Sequence, residues 1–283
     1  MSAISLTEAK AILDDRNLIA VGARGDEERR RRHGARTTFV RVFEVHADAV
    51  PAALPAAAKA GEVRVTGKPA SVDAAIAAIK GARAAAGTIP VTAFSLADLW
   101  ELAGASSTGL RELLARLGGA GLETIAEAPI DLLADPVEAI GAATRAGIDV
   151  PRLTIHHMAD ENSLAAIALA RDIQSANGGV RVFAPLARVS SAAQPSTGYD
   201  DVRQIAVARL LVNNIDSIQV DWQLYGPKLA QVALTMGADD VDAVSPLEGD
   251  LGRRRSPLEE IRGNIKAAGL DPVERDARFH ALA

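Results

Sequence analysis

Ser217-Ile218-Gln219-Val220-Asp221, then Pro227-Lys228-Leu229-Ala230-Gln231-Val232-Ala233-Leu234-Thr235-Met236, then Gly237, then Asp239-Asp240-Val241-Asp242-Ala243-Val244 is the stretch that decides the fold. It reads as strand, helix, stop and strand. β-Branched residues mark the two short runs. Pro227 suits a first helical position, and Gly237 suits a helix end. Two strands of one character joined through a helix make a parallel βαβ unit.

Working outward, the same alternation fills the chain from Thr37. The other predicted strands are Thr38–Val45, Glu62–Thr66, Pro90–Phe94, Glu123–Ala126, Arg152–His156 and Val180–Ala184. Helix-period segments lie between or after them at Val50–Ala60, Ser71–Ala86, Leu96–Leu117, Pro136–Ala146, Ser163–Ala176, Asp200–Asn213 and Pro257–Ala268. Eight βα units is the count of a (β/α)8 TIM-type barrel. A doubly wound open sheet is the alternative that periodicity leaves standing. Residues 1–36 read as an N-terminal helical extension packing on the barrel, and 37–283 as one barrel domain. In the extension, Ser5–Leu13 is one helix with Ser5 or Thr7 as cap. The run Asp26-Glu27-Glu28-Arg29-Arg30-Arg31-Arg32 reads as a solvated helix of i,i+3 and i,i+4 pairs.

Composition narrows the function. The chain has 283 residues, no cysteine and a net charge of −5. It therefore offers no thiolate for a nucleophile, a zinc site or an iron–sulfur cluster. The mild negative charge argues against nucleic acid. No apolar run is long enough for a membrane span. Met1–Lys10 lacks the basic start and apolar run of an export signal, so a cytoplasmic protein is expected. Neither a nucleophile elbow nor a glycine-rich phosphate loop is present; Gly22-Ala23-Arg24-Gly25 is too loose for either.

In a barrel, chemistry gathers at the strand C-termini. That rule selects His46 and Asp48 after the first strand, Lys68 after the second and Ser95 after the third. Glu127 and Asp131 follow the fourth, His156-His157 the fifth and Arg188 the sixth. Trp222 and Gln223 follow the seventh, with Lys228 at the next helix start, and Ser245 and Glu248 follow the eighth. His156, Glu127, Asp131 and His46 are the acid–base candidates. Lys68, Ser95, Arg188, Trp222, Gln223 and Lys228 are the ligand-binding candidates. Adjacent strand residues face opposite ways, so at most one of His156 and His157 can look into the mouth unless the strand has ended. Their spacing to His46, Asp48 or Glu127 is no recognised metal motif. Arg253-Arg254-Arg255 reads as a charged loop near where many barrels take phosphate.

Ile205-Ala206-Val207-Ala208-Arg209-Leu210, Gly226-Pro227-Lys228-Leu229-Ala230-Gln231, Gly237-Ala238-Asp239-Asp240-Val241-Asp242 and Pro272-Val273-Glu274-Arg275-Asp276 resemble the radical S-adenosylmethionine enzymes of menaquinone biosynthesis by the futalosine route, above all aminofutalosine synthase. The likeness covers nearly the whole chain, weakly between Val45 and Val91. It implies a CxxxCxxC loop after the first strand, which holds a 4Fe–4S cluster. Here that place reads Glu44-Val45-His46-Ala47-Asp48-Ala49-Val50 and leads into an expected Ala-rich helix, as though the loop were deleted. A glycine-rich acidic turn after strand two is implied, and Thr66-Gly67-Lys68-Pro69 stands there with its charge reversed. After strand four the family's glycine run is replaced by Glu127-Ala128-Pro129-Ile130-Asp131.

The resemblance thus implies a cluster-less relative that cannot cleave S-adenosylmethionine reductively and is not expected to bind it. No certain cofactor or metal is expected. The barrel could be irregular or partly open around strands 1 and 2. A ligand-binding or accessory role near the futalosine route is the first expectation, with a small molecule in the mouth and a pathway enzyme or a second copy as partner. A non-radical lyase, hydrolase or isomerase acting on a chorismate- or nucleoside-derived molecule is the alternative.

Overall fold

The computed structural model describes residues 4–157, 163–189, 197–247 and 257–282. Glu248, the Arg253–Arg255 run and 190–196 of the loop after Arg188 lie outside the described residues. In chain order the elements are α1 (Leu6–Asp14), α2 (Leu18–His33), β1 (Arg36–His46), β2 (Glu62–Thr66), α3 (Val72–Ala86), β3 (Val91–Ser95), α4 (Leu96–Leu102), α5 (Ser107–Gly119), β4 (Thr124–Pro129) and α6 (Pro136–Arg145). There follow β5 (Arg152–Ile155), α7 (Ser163–Asn177), β6 (Val182–Ala187), α8 (Gly198–Leu211), β7 (Ser217–Asp221), α9 (Trp222–Leu234), β8 (Asp240–Val244), α10 (Pro257–Ala267) and β9 (Asp271–Glu274). Among the described residues no helix is long and apolar enough to cross a membrane.

Strands β1 to β8 pair in parallel around a closed ring, so the fold is a (β/α)8 barrel. The ring is also closed where the sequence left room for an opening. The upper half of β1 pairs with β2 from Val42↔Glu62 to His46↔Thr66. Its lower half pairs with β9, from Arg36↔Asp271 to Phe39↔Glu274. β9 thus fills the edge that the short β2 leaves bare, and the sequence reading missed it. The irregularity falls on the other side of β1, where the register against β8 shifts between Phe39 and Arg41.

Three expected helices differ. Residues 50–60 are not helical. Pro51 and Pro55 lie four apart and remove backbone donors, so a helix cannot propagate through them. The first loop is therefore long and irregular rather than deleted, and β1 reaches β2 without a crossover helix. Leu96–Leu117 divides into α4 and α5, because Gly104 and Ala105 both take positive φ. The expected helix from Pro227 exists, but Gly226 (φ 74°, ψ 167°) breaks it from the turn at Trp222.

The N-terminal helices pack on α8. Gly25 lets α2 come close: a Cβ there would lie 2.1 Å from the Met236 carbonyl oxygen. The arginine run makes its expected pairs, Asp26 with Arg29 and Arg30, and Glu28 with Arg31 and Arg32. It is only half solvated, since Glu28 and Arg29 are buried on the face against the barrel.

The strands alternate as period two requires, but the inward residues are charged. Val63 and Val65 on β2, Leu153 and Ile155 on β5, and Val241 on β8 are buried apolar side chains. Between them Glu62, Arg64, Arg152, Thr154, Gln219, Asp240 and Asp242 are also buried. A barrel interior is packed with side chains, so these must satisfy one another. At the strand N-termini Arg275, which follows β9, grips Asp240 through two bonds of 2.6 and 2.7 Å. Its guanidinium lies 4.1 Å from the Phe279 ring centroid. Removing one partner of such a buried pair leaves the other charge uncompensated. Arg275→Ala is expected to cost about 3–5 kcal/mol, read from the midpoint of denaturant unfolding; an unchanged midpoint would contradict this account of the lumen.

Candidate active site at the barrel mouth

Above Asp240 the lumen charges form a connected set. Arg64 makes a fork on Asp242, with bonds of 2.8 and 3.1 Å, and its Nε donates to Glu62 at 2.7 Å. Thr92 donates to the same Glu62 oxygen at 2.7 Å. Arg152 reaches Asp242 at 3.1 Å from across the barrel. Burial alone would push the Asp242 carboxyl up, but Arg152 and Arg64 hold it far below the ordinary carboxylate range.

This set is the floor of a cavity of about 290 Å³ at the mouth. Its walls include Glu44, Arg64, Ser95, Asp98, Glu127, Arg152, His156 and Arg188. His156 Nε2 lies 3.0 Å from Glu127 Oε1. An ionised carboxylate only accepts, so His156 donates through Nε2. Arg188 holds the other Glu127 oxygen at 3.3 Å and Asp221 at 3.1 Å. Burial opposes ionisation of Glu127, yet the His156 hydrogen bond and the Arg188 charge hold it at about 2. Asp221 and Asp98 move the other way. Burial raises Asp221, and the Asp242 charge adds to it. Burial raises Asp98 as well.

Asp131 has a supporting part. Its carboxylate accepts the backbone amides of His156 and His157 at 2.8 and 2.7 Å, which ends β5 and fixes the His156 ring over the cavity. His157 turns out, with a side chain 64% exposed. Ser95 lines the cavity and caps α4 by accepting from the Ala97 amide.

The remaining candidates do not converge on this cavity. Lys68 pairs with Glu101 on α4 in solvent. His46 is 57% exposed and lies 3.7 Å from Asp48. Trp222 is buried in the core, because α9 turns its first residue onto the barrel, so it offers no stacking face. Gln223 is exposed. Lys228 lines a separate apolar groove with Leu18, Ile19 and Val232, since the break at Gly226 directs it along the outside of the barrel. Sequence reasoning missed Asp98, Arg64, Arg152, Asp221 and Asp242. Their signal was a charge at every second strand position, as in Glu62-Val63-Arg64-Val65 and Asp240-Val241-Asp242.

The residues present do not fit an iron–sulfur cluster. The chain has no cysteine. The His46 ring lies against the turn after β2, where a Cβ on Gly67 would meet Nε2 at 2.4 Å. Among the described residues no three His, Asp or Glu side chains are grouped to hold a metal ion.

A closed parallel barrel with a charged lumen and a small polar mouth is the class that fold and site define. Residues 182–282 match the protein family described as the CofH/MqnC C-terminal region. The chain is 30% identical over 224 residues to a 5-amino-6-(D-ribitylamino)uracil–L-tyrosine 4-hydroxyphenyl transferase of Archaeoglobus fulgidus, covering 69% of this chain and 65% of the relative. It is 31% identical over 134 residues to the aminodeoxyfutalosine synthase of Streptomyces coelicolor, covering 40% of this chain and 35% of the relative. The chain spans between 56% and 65% of the length of the first four curated relatives it matches. Among solved structures it shares its fold with methylornithine synthase at a TM-score of 0.66 and 14% identity, covering 98% of this chain and 96% of that one. A hydrogenase maturase gives 0.65 and 16%, covering 96% and 72%.

The depressed Glu127 carboxyl has a definite consequence for stability. A carboxyl held at about 2 in the fold and near 4.5 outside it stabilises the fold above pH 4.5. That contribution is lost as pH falls through about 2. Glu127→Gln is expected to lower stability at pH 7 by on the order of 3 kcal/mol. The gap from the unsubstituted protein should close between about pH 5 and pH 2 in chemical denaturation series. A gap that stays constant with pH would show that the pair is not what holds the carboxyl low.

Proposed function

We propose that this chain is a cluster-less relative of the futalosine-route enzymes that binds a small polar molecule in its barrel mouth and does not cleave S-adenosylmethionine reductively. The observation that carries this reading is the filled lumen. Arg64, Arg152, Glu62 and Asp242 occupy the barrel up to a cavity of about 290 Å³, the lower end of the size range of ligand sites. A cluster, a nucleotide cofactor and a substrate together need more room and a thiolate set. The protein then acts as a cytoplasmic ligand-binding or accessory component beside the futalosine route to menaquinone, working alone, as a second copy of itself, or on a pathway enzyme. The family likeness at 182–282 and the Streptomyces relative support that setting.

Glu127 decides between binding and catalysis. A general base works best with a pKa near the operating pH. Glu127 is held at about 2 with both oxygens engaged, which suits holding His156 and Arg188 in place rather than taking a proton. One observation favours the second reading, a non-radical acid–base enzyme: His156 stands beside a half-buried Asp98 whose carboxyl burial has raised. On that reading Asp98 and His156 do the proton work and Glu127 orients the imidazole.

Anaerobically purified protein is expected to show no iron–sulfur absorption and no iron by metal analysis. A stoichiometric cluster would overturn the proposal. In a thermal-shift screen with S-adenosylmethionine, adenosine, futalosine and chorismate-derived enol ethers, a ligand at 100 times its Kd should stabilise by about 2.7 kcal/mol. Silence from S-adenosylmethionine is expected. Turnover of any of these compounds that is lost in His156→Ala and Asp98→Asn, with the fold intact, would replace binding by the acid–base reading.

A further inference from the structure

The charges around the mouth do not balance. Glu44, Glu62, Asp98, Glu127, Asp221 and Asp242 face Arg64, Arg152 and Arg188 within one connected group. A proton on His156 would still leave carboxylates in excess. The neighbouring cations are spent elsewhere, Lys68 on Glu101 and Arg275 on Asp240. Asp98 is half-buried at the cavity wall and has no hydrogen-bond or ion-pair partner among the described residues. Glu44 has only the 4.0 Å contact with Arg64.

A second, independent observation lies on the cavity floor. Arg152, Thr154 and His156 share one face of the β5 line, and the outer two border the cavity. Thr154 is 0% exposed and its Oγ1 has no partner; Arg152 is 4% exposed and its Nε has none. Buried polar atoms of this kind are normally satisfied. Both point the need toward the cavity: a donor or acceptor for the hydroxyl, and an acceptor for the guanidinium N–H.

We infer that the mouth cavity takes a small organic cation, an amine that places its ammonium against Asp98 and Glu44 and an oxygen toward Arg152 Nε and Thr154. The inference rests on the reading of the mouth as a ligand site and adds the charge class of the ligand. An inorganic ion does not serve, since the carboxylates line the walls rather than meeting at one point. A cavity of about 290 Å³ holds roughly ten non-hydrogen atoms at the volume a water molecule occupies. That size suits an amino alcohol or a short diamine. An acid of the same size would meet Asp98 and Glu44 at the rim and be repelled.

Isothermal titration at low salt with 2-aminoethanol, 1,4-diaminobutane, glycolate and 1,2-ethanediol separates the possibilities. The two amines are expected to bind and the acid and the diol are not. Asp98→Asn should weaken amine binding at least tenfold, and Glu44→Gln should weaken it in the same direction, while Asp48→Asn on the exposed first turn leaves it unchanged. Equal amine affinity in Asp98→Asn, with folding confirmed by circular dichroism, overturns the inference. Glycolate binding that disappears in Arg188→Ala overturns the charge assignment and leaves ligand binding at the mouth standing. Silence from all four probes also overturns the inference, and the nucleoside and enol-ether screen then judges the underlying ligand-site reading separately.

Discussion

The fork of Arg64 on Asp242, joined from across the barrel by Arg152, is the interaction on which the rest of the structure depends. It links β2, β5 and β8 through the lumen. Each of these groups is costly to bury alone, and each is tolerable only in the presence of the others. The register of the three strands is tied to this set, because a slip of one residue would turn valines inward and charges outward. The set also fixes the depth of the mouth cavity and the charges that line it. Fold and site are here one network, deep ion pairs below and a partly open polar cavity above.

The stretch of strongest family likeness takes a different meaning in three dimensions. Arg209 is fully buried and donates to the Gly237 carbonyl at 2.8 Å, to the Asp216 carbonyl at 3.0 Å and to Asp239. Arg275 holds Asp240. These residues brace the strand N-termini, at the opposite end from the mouth. Much of what makes this half recognisable is therefore scaffold. Only Asp221 and Asp242 of that stretch take part in the site, and both do so through arginines from other strands.

The altered first half is a change of contents more than of framework. β1 and β2 remain in register, and the loop between them keeps its length without a helix. What changed is the chemistry the loop carries. A histidine ring against Gly67 and a lysine paired with Glu101 occupy the region where a thiolate loop and an acidic turn are expected from the resemblance. A barrel tolerates such replacement because its loops contribute little to closing the ring.

The sequence by itself determined the barrel, most of its strands, the Ser5 cap of the first helix and the absence of any thiolate chemistry. It also marked Glu127, His156, Ser95 and Arg188, since residues following strands collect at one end of a parallel barrel whatever their neighbours are. It could not show that the helix expected at 50–60 yields to Pro51 and Pro55, or that β9 closes the ring below β2. Nor could it show that Trp222 and Lys228 turn away from the mouth. Those depend on contacts between segments far apart in the chain. The tertiary structure alone decided that alternate charges on β2, β5, β7 and β8 point at one another inside the barrel. In a single strand such alternation signals a solvated face, and only closure of the ring converts that face into a buried interior.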